Sequence, residues 1–557
     1  MMLTISYMKF LNRCILPLLT LVSVMCSCNG NKENPEPTPD PTPKAPTAIT
    51  LSTSSLSAKA EGETFEITVK TPFVPQVEKP DWITVSNGTL ANYSVVTTLT
   101  VAANTAYEAR SATLTFKATG ATSATLTVSQ AAATKPEPPA PGYDGLASFF
   151  GLGWNMGNQF DGYYNGSWAG AKEGYPDETC WMPDPKDNYK ATQATFNGLK
   201  DKGFSSVRIP ISWLKMIGDA PEYKIDESWM NRIYEVVGFA HNAGLKVIIN
   251  THHDENHYNP EDPTSVYHDY QWQDIRKAAN NASVNTQIKE EIQKVWTQIA
   301  NKFKDCGDDW LMMEGFNEIN DGGWGWSEDF KKNPQKQCNI LNEWNQVFVD
   351  AVRATGGNNA TRWLGVPSYC ANPEFTKYMT IPSDAAKKVA VAVHFYDPSS
   401  FALGENEKDE QGKDTGKKIF PYSDWGHTGA SGKKVPGSDE DYLKGVFSNL
   451  NSKYVANGIP VYLGEFGCCI RTDARSKAFI KYYLEYVVKA AKTYSLPCFL
   501  WDNSVQGGSG ENHGYIHHGT GNYLGGSKEF VDVMTKAWNN DSETYTLDYV
   551  YSKAPKF

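Results

Sequence analysis

LMMEGFNEIN, residues 311–320, opens as an unbroken apolar run and closes in polar residues. An apolar run of this length with no polar alternation reads as a strand buried on both faces. Such strands belong to parallel sheets covered by helices, so this stretch decides the fold class. It also carries two glutamates, Glu314 and Glu318. A charged residue inside a buried run demands a partner or a use. On an ideal strand Met312, Glu314, Phe316 and Glu318 share one face, and four residues span roughly 13 Å. With Glu318 at the mouth, Glu314 lies well below it and needs donors to stay charged. That is the place of a supporting residue rather than a catalytic one.

Seven further segments have the same character: FFGLGWN (149–155), SSVRIP (205–210), LKVIINTHH (245–253), RWLGVPS (362–368), KVAVAVHFY (388–396), IPVYLGEFG (459–467) and PCFLWDN (497–503). Amphipathic helical patterns lie between them, among them ESWMNRIYEVVGFAHNAG and RSKAFIKYYLEYVVKAAKTY. Alternating strand–helix units of this number predict an α/β fold, a (β/α)8 TIM barrel over residues 143–557. A doubly wound open sheet is the alternative, and it usually places a Gly-rich phosphate loop after the first strand. GLGWNMGNQFD lacks that spacing, and no helical pattern follows it directly.

The 557 residues exceed what one compact core holds, so more than one domain is expected. Residues 47–132 alternate apolar and Thr/Ser positions at period two, without helical patterns, which predicts a small all-β immunoglobulin-like sandwich. Its opening ITLSTSSLS, the DWITVS strand with Trp82, the ARSATLTF strand and the closing LTVSQAA resemble the BACON domain. Its aromatics (Phe65, Phe73, Trp82, Tyr93, Tyr107 and Phe116) are expected mostly in the core, and the domain is read as a spacer. Pro-rich linkers at 29–46 and 133–142 flank it and should be extended.

Residues 1–28 read as an export signal. Lys9 and Arg13 precede an apolar stretch too short to span a bilayer, and CSCNG follows. A cysteine preceded by a small residue resembles a lipoprotein box, with Cys28 the expected lipidation site and Cys26 the second choice. The chain is thus expected to be exported and lipid-anchored at the cell surface of a Gram-negative bacterium, with a periplasmic or secreted form as the alternative. Beyond the signal, which also holds Cys14, the remaining seven cysteines show no CxxC pair, and an odd number cannot all pair. A net charge of −11 argues against nucleic acid or an anionic membrane surface as main partner.

Polar residues cluster where the strands end: Arg208, His252 and His253, Asn317 and Glu318, His394 and Tyr396, Glu465, Trp501. In a barrel these ends form one face, the face that carries active sites. Glu318 and Glu465 would meet across one cleft. Two carboxylates, one protonated to assist a leaving group and one ionised to attack or stabilise an anomeric carbon, are the kit of a glycosidase. Asn317 suits a sugar 2-hydroxyl. His394 and Tyr396 can orient Glu465, Arg208 can keep it ionised, and Trp501 offers a flat apolar face to a sugar.

GWNMGNQFD, VRIP, NTHHD, GFNE, HFYDP, GEFG and WDN, in that order over residues 151–503, resemble glycoside hydrolase family 5. The resemblance implies Glu318 as acid/base and Glu465 as nucleophile. It implies Arg208, His252, Asn317, His394, Tyr396 and Trp501 as the lining of the cleavage subsite, with His253, Asn155 and Asn158 as second choices. The double histidine and the GWNMGN opening are most similar to the endoglucanase and xyloglucanase branch, subfamily 4. Asn-Glu-Ile-Asn stands where much of the family has Asn-Glu-Pro, a departure bearing on substrate detail. The mechanism implied is double displacement with retention, for which the carboxyl groups should lie about 5–5.5 Å apart.

HHDENH (252–257) lacks the HExxH arrangement and a completing ligand, so no metal and no cofactor are expected. A non-catalytic polysaccharide-binding barrel is a rival, but it would have lost a carboxylate. The expected partner is a β-glucan: a β-1,4-glucan first, xyloglucan or mixed-linkage glucan next. Trp324 and Trp326 are candidate stacking platforms on the leaving-group side, and the loop between Asp397 and Glu440, with Phe401 and Trp425, is expected to wall the cleft. The chain is expected to act as a monomer.

Overall fold

The computed structural model describes residues 44–132 except 105 and 107, and residues 145–557 except 166–171, 261–264, 413 and 508–509. The signal with Cys26 and Cys28, and the Pro-rich stretches 29–43 and 133–142, lie outside them. The chain divides into two compact units, Met1–Lys135 and Pro136–Phe557. No helix among the described residues is long and apolar enough to cross a membrane.

The first unit is a sandwich of two four-stranded sheets. Its central strands, Glu63–Lys70 and Ser94–Val101 in one sheet and Arg110–Lys117 and Ala124–Gln130 in the other, bury alternate residues. Val69, Leu99, Leu114, Phe116 and Leu126 are fully buried between them. Phe73 departs from expectation. It stands 59% exposed, because Thr71 Oγ1 donates to its carbonyl and holds the turn outward. Trp82 lies half-buried beneath the Arg110 guanidinium at 4.5 Å.

The second unit is built on a closed barrel of eight parallel strands: β1 (Leu152–Met156), β2 (Ser206–Ile209), β3 (Lys246–Asn250), β4 (Leu311–Glu314), β5 (Leu364–Pro367), β6 (Val389–Phe395), β7 (Val461–Phe466) and β8 (Cys498–Asp502). Alternate residues divide two cores. Val207, Val247, Ile249, Leu311, Met313, Val391 and Leu463 face the helices, while Ile248, Met312, Ala390, Ala392, Tyr462 and Phe499 fill the floor of the barrel. Two of the helices that cover it begin at side-chain caps: Asp226 accepts from Trp229 N before Glu227–Asn242, and Asp473 from Ser476 N before Ala474–Thr493.

Two irregularities override simple alternation. β4 ends at Glu314, and Phe316 turns outward to meet Phe348 and Trp344 of the helix Pro334–Ala354. Phe316 therefore does not share a face with Glu314 and Glu318. In β7 the register slips by one: Val393 pairs Leu463, but His394 pairs Glu465. Gly464 is the extra residue of this bulge, and the slip puts Glu465 inside, where strict alternation from Tyr462 would put it outside.

Candidate active site

The barrel floor carries a buried polar layer. Arg208 on β2 is fully buried and uses all five N–H groups of its guanidinium. Its Nε donates to both oxygens of Glu314 at 3.1 Å, and Nη2 donates to Glu314 Oε1 at 2.6 Å and to Asn317 Oδ1 at 2.8 Å. Its Nη1 donates to Asn155 Oδ1 at 3.0 Å and to Glu465 Oε1 at 2.9 Å. Glu314 also accepts from Asn250 Nδ2 at 3.0 Å and from the Tyr462 hydroxyl at 2.6 Å. Burial opposes its charge, but Arg208 and Tyr462 hold its carboxyl below the ordinary range. Glu314 is thus the supporting carboxylate that the sequence required. Asn155 is fully buried as well and donates to the carbonyl of Gly464 at 2.9 Å, so it pins the β7 bulge.

Above this layer opens a cavity of about 540 Å³, lined by Asn158, Trp181, His252, His253, Asn317, Glu318, Trp324, Tyr396, Leu403, Glu465, Trp501, Glu511 and His513. A larger depression of about 750 Å³, beside Trp229 and Arg232, gathers no paired carboxylates with a histidine among its described residues.

Glu318 and Glu465 face one another across the cavity, with an oxygen of each and a nitrogen of His394 all within 4.8 Å of one another. Their settings differ. Glu465 accepts from Arg208 and from the Tyr396 hydroxyl at 3.0 Å; burial raises its pKa, while His394, Arg208 and Tyr396 oppose the rise. Glu318 has no cation at bonding distance among the described residues, only His394 Nδ1 at 2.6 Å from Oε1. Burial, together with the charge of Glu255, pushes its pKa up to about 7. His394 was expected to orient Glu465, yet it bonds Glu318 and lies 3.6 Å from Glu465. Burial lowers its pKa to about 4, so it serves as a neutral partner.

His252 is fixed in orientation and tautomer. Asn250 Oδ1 accepts from Ile211 N, which leaves Asn250 Nδ2 to donate to Glu314 and to His252 Nδ1 at 3.2 Å. Nδ1 therefore accepts, and Nε2 carries the proton, 3.9 Å from Glu465 Oε1. The ring stacks on Trp501 at 5.7 Å and 8°. Gly157 makes room for Trp501, since a Cβ there would lie 2.6 Å from the indole. His253 sits between Asp161 (3.5 Å) and Glu255 (3.6 Å); burial opposes its charge, but the two carboxylates raise its pKa to about 10. Asp161, His252 and His253 are close enough to suggest a metal set. They do not fit one, because His252 presents a proton rather than a lone pair.

Trp324 lines the cavity, presented at φ 51° by a turn that Asn320 organises. Asn320 Oδ1 accepts from Gly322 N at 2.8 Å, and its Nδ2 donates to the Glu318 carbonyl at 2.8 Å. Trp326 is 77% exposed and lies off the cavity lining. The Asp397–Glu440 loop departs further from expectation: Phe401 and Trp425 are buried against Tyr483, drawn in by its ring, and among the loop's described residues only Leu403 reaches the cavity.

Residues 165–507 match the cellulase model of glycosyl hydrolase family 5. The chain belongs to this family. Residues 74–131 match BACON, described as a putative N-terminal binding domain. The chain is 33% identical over 380 residues to Endoglucanase A of Paenibacillus barcinonensis, covering 66% of this chain and 83% of that protein. It is 31% identical over 438 residues to a xyloglucan-specific endo-β-1,4-glucanase of Bacteroides ovatus, covering 75% and 78%. Among solved structures it resembles a broad-specificity endoglucanase of subfamily 4 from Bacteroides salanitronis, with 42% identity, TM-score 0.62, and coverage of 72% of this chain and 97% of that one.

Within the family 5 barrel, Asn158, His252, His253, Asn317, Glu318, Tyr396, Glu465 and Trp501 line the cavity, whereas Asn155, Arg208 and His394 lie outside its lining. Trp181, Leu403, Glu511 and His513 line the cavity without having been singled out. They sit on loops, where no strand or helix period marks a residue as inward-facing. The seven cysteines among the described residues are free thiols.

Proposed function

We propose that this chain is a retaining, endo-acting β-1,4-glucanase of plant cell-wall glucans, with Glu465 as nucleophile and Glu318 as acid/base. One observation carries the reading. Glu318 and Glu465 bring oxygens within 4.8 Å of one another in unequal surroundings. Such closeness is in keeping with direct attack by one carboxylate, for which the two carboxyl groups stand about 5–5.5 Å apart.

Glu465 Oε2 or Oε1 attacks the anomeric carbon while Glu318 gives its proton to the departing O4. A glycosyl–Glu465 ester forms and the leaving-group chain departs. Water then attacks the anomeric carbon, Glu318 takes its proton, and Glu465 is released as carboxylate. Tyr396 and Arg208 hold Glu465 in the attacking pose, while the protonated Nε2 of His252 and the side chain of Asn317 face the sugar. Trp501 stacks on it.

Proton NMR of early hydrolysis on a cello-oligosaccharide tests this: the β-anomer should appear first, and an initial α-anomer overturns the reading. The open, aromatic-rimmed cavity supports internal cleavage. The relatives' names favour a β-1,4-glucan backbone with xyloglucan as the second reading, and initial rates on carboxymethylcellulose, xyloglucan, mixed-linkage glucan and mannan rank them. The N-terminal signal supports export and lipid anchoring through Cys28. Loss of radiolabelled palmitate from a Cys28→Ala chain checks that, and retained label points to Cys26.

A further inference from the structure

Glu314 takes no part in the double displacement, yet it accepts from Arg208, Asn250 and Tyr462 at once. Arg208 gives it the side-on edge of the guanidinium, Nε and one Nη2 proton, and gives Glu465 a single Nη1 proton. Both carboxylates are buried and draw on one cation. Two anions that share a cation compete for it: whatever strengthens the grip on one weakens the grip on the other. The Tyr462 hydroxyl, fully buried, donates to Glu314 Oε2 at 2.6 Å and so eases that competition from below.

We propose that Glu314, with Tyr462 behind it, is a positioning residue that divides Arg208 with Glu465 and so sets how tightly the nucleophile is held. This rests on Glu465 being the nucleophile, as argued above. A carboxylate pinned by an undivided arginine is too well stabilised to attack; one with no cation at all takes up a proton. Glu314 keeps Glu465 between these limits, and Asn155 and Asn317 fix the guanidinium so that the division cannot relax.

The groups that face Glu465 are Arg208 from β2, His252 after β3, Glu318 after β4, and His394 and Tyr396 at the end of β6. Those that face Glu314 are Arg208, Asn250, Tyr462 and, at longer range, His394. Neither Glu314 nor Tyr462 belongs to the first group, so substitutions there reach Glu465 through Arg208, and the acidic limb of kcat/KM reads the division.

Two variants test it with opposite signs. Glu314→Gln keeps the shape but removes the competing charge, so Arg208 turns its full charge on Glu465. The acidic limb should move down by about 1 pH unit, and kcat should fall about tenfold. Tyr462→Phe removes a donor from Glu314, which then draws harder on Arg208. The acidic limb should move up by about half a unit. A scaffold role alone lowers activity without moving the limbs apart, so limbs that stay put or move together overturn the proposal. If Glu314→Gln does not fold, Tyr462→Phe decides by itself: an upward limb supports the division and a stationary one overturns it. Labelling each enzyme with a 2-deoxy-2-fluoro-cellobioside and mapping the modified peptide separates the two readings. Label on Glu465 with unmoved limbs defeats only the role of Glu314, whereas label on another residue defeats the nucleophile assignment and this proposal with it.

Discussion

Asn155 Nδ2 lies 2.9 Å from the carbonyl of Gly464, so a side chain of β1 fastens the one-residue bulge that turns Glu465 into the barrel. The same Asn155 accepts from Arg208, so bulge and guanidinium share one anchor. Asn155→Ala leaves a buried carbonyl and an arginine N–H unpaired, at a cost of about 1–3 kcal/mol each. Glu465, the proposed nucleophile, should then drift from its pose, and a misplacement near 1 Å costs about 10²-fold in rate. The expected outcome is kcat lowered about 10²-fold with KM within about twofold of the parent, since Asn155 is buried beneath the cavity. An Asn155→Ala enzyme with full kcat on a soluble cello-oligosaccharide removes the bulge from the argument.

Glu318 carries the pH dependence. In the proposed acid/base role it must be protonated to assist the leaving group, and burial together with Glu255 places its pKa at about 7. kcat/KM should therefore fall about tenfold per pH unit on the alkaline side of about 7. Glu318→Gln should abolish that limb and most turnover on glucan, while an aryl cellobioside with an activated leaving group still releases its phenol. A limb that persists in Glu318→Gln assigns the acid to another group.

The fold was legible because its strands are apolar on both faces and end in polar residues, a pattern that only a covered parallel sheet explains. The depth of Glu314 followed from strand rise alone. What escaped was local. Phe316 left the face of Glu314 because an outer helix offered Phe348 and Trp344, a tertiary pull that alternation does not encode. The bulge at Gly464 did have a signal, a glycine inside a strand, but a signal that does not say which neighbour it re-aims. Phe401 and Trp425 show the limit for loops: their aromatic character suits a cleft wall and a core equally, and Tyr483 settles it for the core.

Trp324 should act on the leaving-group side of the cut. It borders Glu318 in the cavity and is held by Asn320, whose Nδ2 donates to the Glu318 carbonyl. Gly322 lets this turn close, since a Cβ there would lie 2.0 Å from the His257 carbonyl oxygen. Trp324→Ala should lower kcat/KM on polymeric glucan about tenfold, the loss of one stacked ring of roughly 1–1.5 kcal/mol. An aryl cellobioside, which leaves that side empty, should be cleaved at the parental rate. Equal losses on both substrates would move Trp324 out of the leaving-group side.

Metal should not matter to this site. His252 Nδ1 is bound by Asn250, whose amide is locked by Ile211 N and Glu314, so Nε2 presents a proton toward the cavity. Without that lone pair, Asp161 and His253 are short of a ligand set. Dialysis against EDTA should leave kcat unchanged, and added Zn²⁺ or Mn²⁺ should not raise it. A metal-dependent gain through His252 would require the Asn250 amide to be flipped, which an Asn250→Asp variant reports as a lost or altered gain; a gain that variant leaves unchanged would instead point to Glu318, His394 and Glu465.

The carboxyl that gives Glu318 its chemistry also costs stability. Its pKa in the folded chain, about 7, stands above the ordinary 4.5, so the folded state binds a proton that the unfolded state has released. Protonation favours the fold below the unfolded pKa, and that contribution is lost as pH rises from about 4.5 through about 7. By pH 8 the buried charge costs at most on the order of 3 kcal/mol. Glu318→Gln removes the cost and keeps an acceptor for His394 Nδ1. Its Tm should therefore exceed the parent's by several degrees at pH 8 and match it near pH 4.5. Calorimetry at the two pH values checks both, and a gain of equal size at each would mean that packing, not charge, is what the substitution relieves.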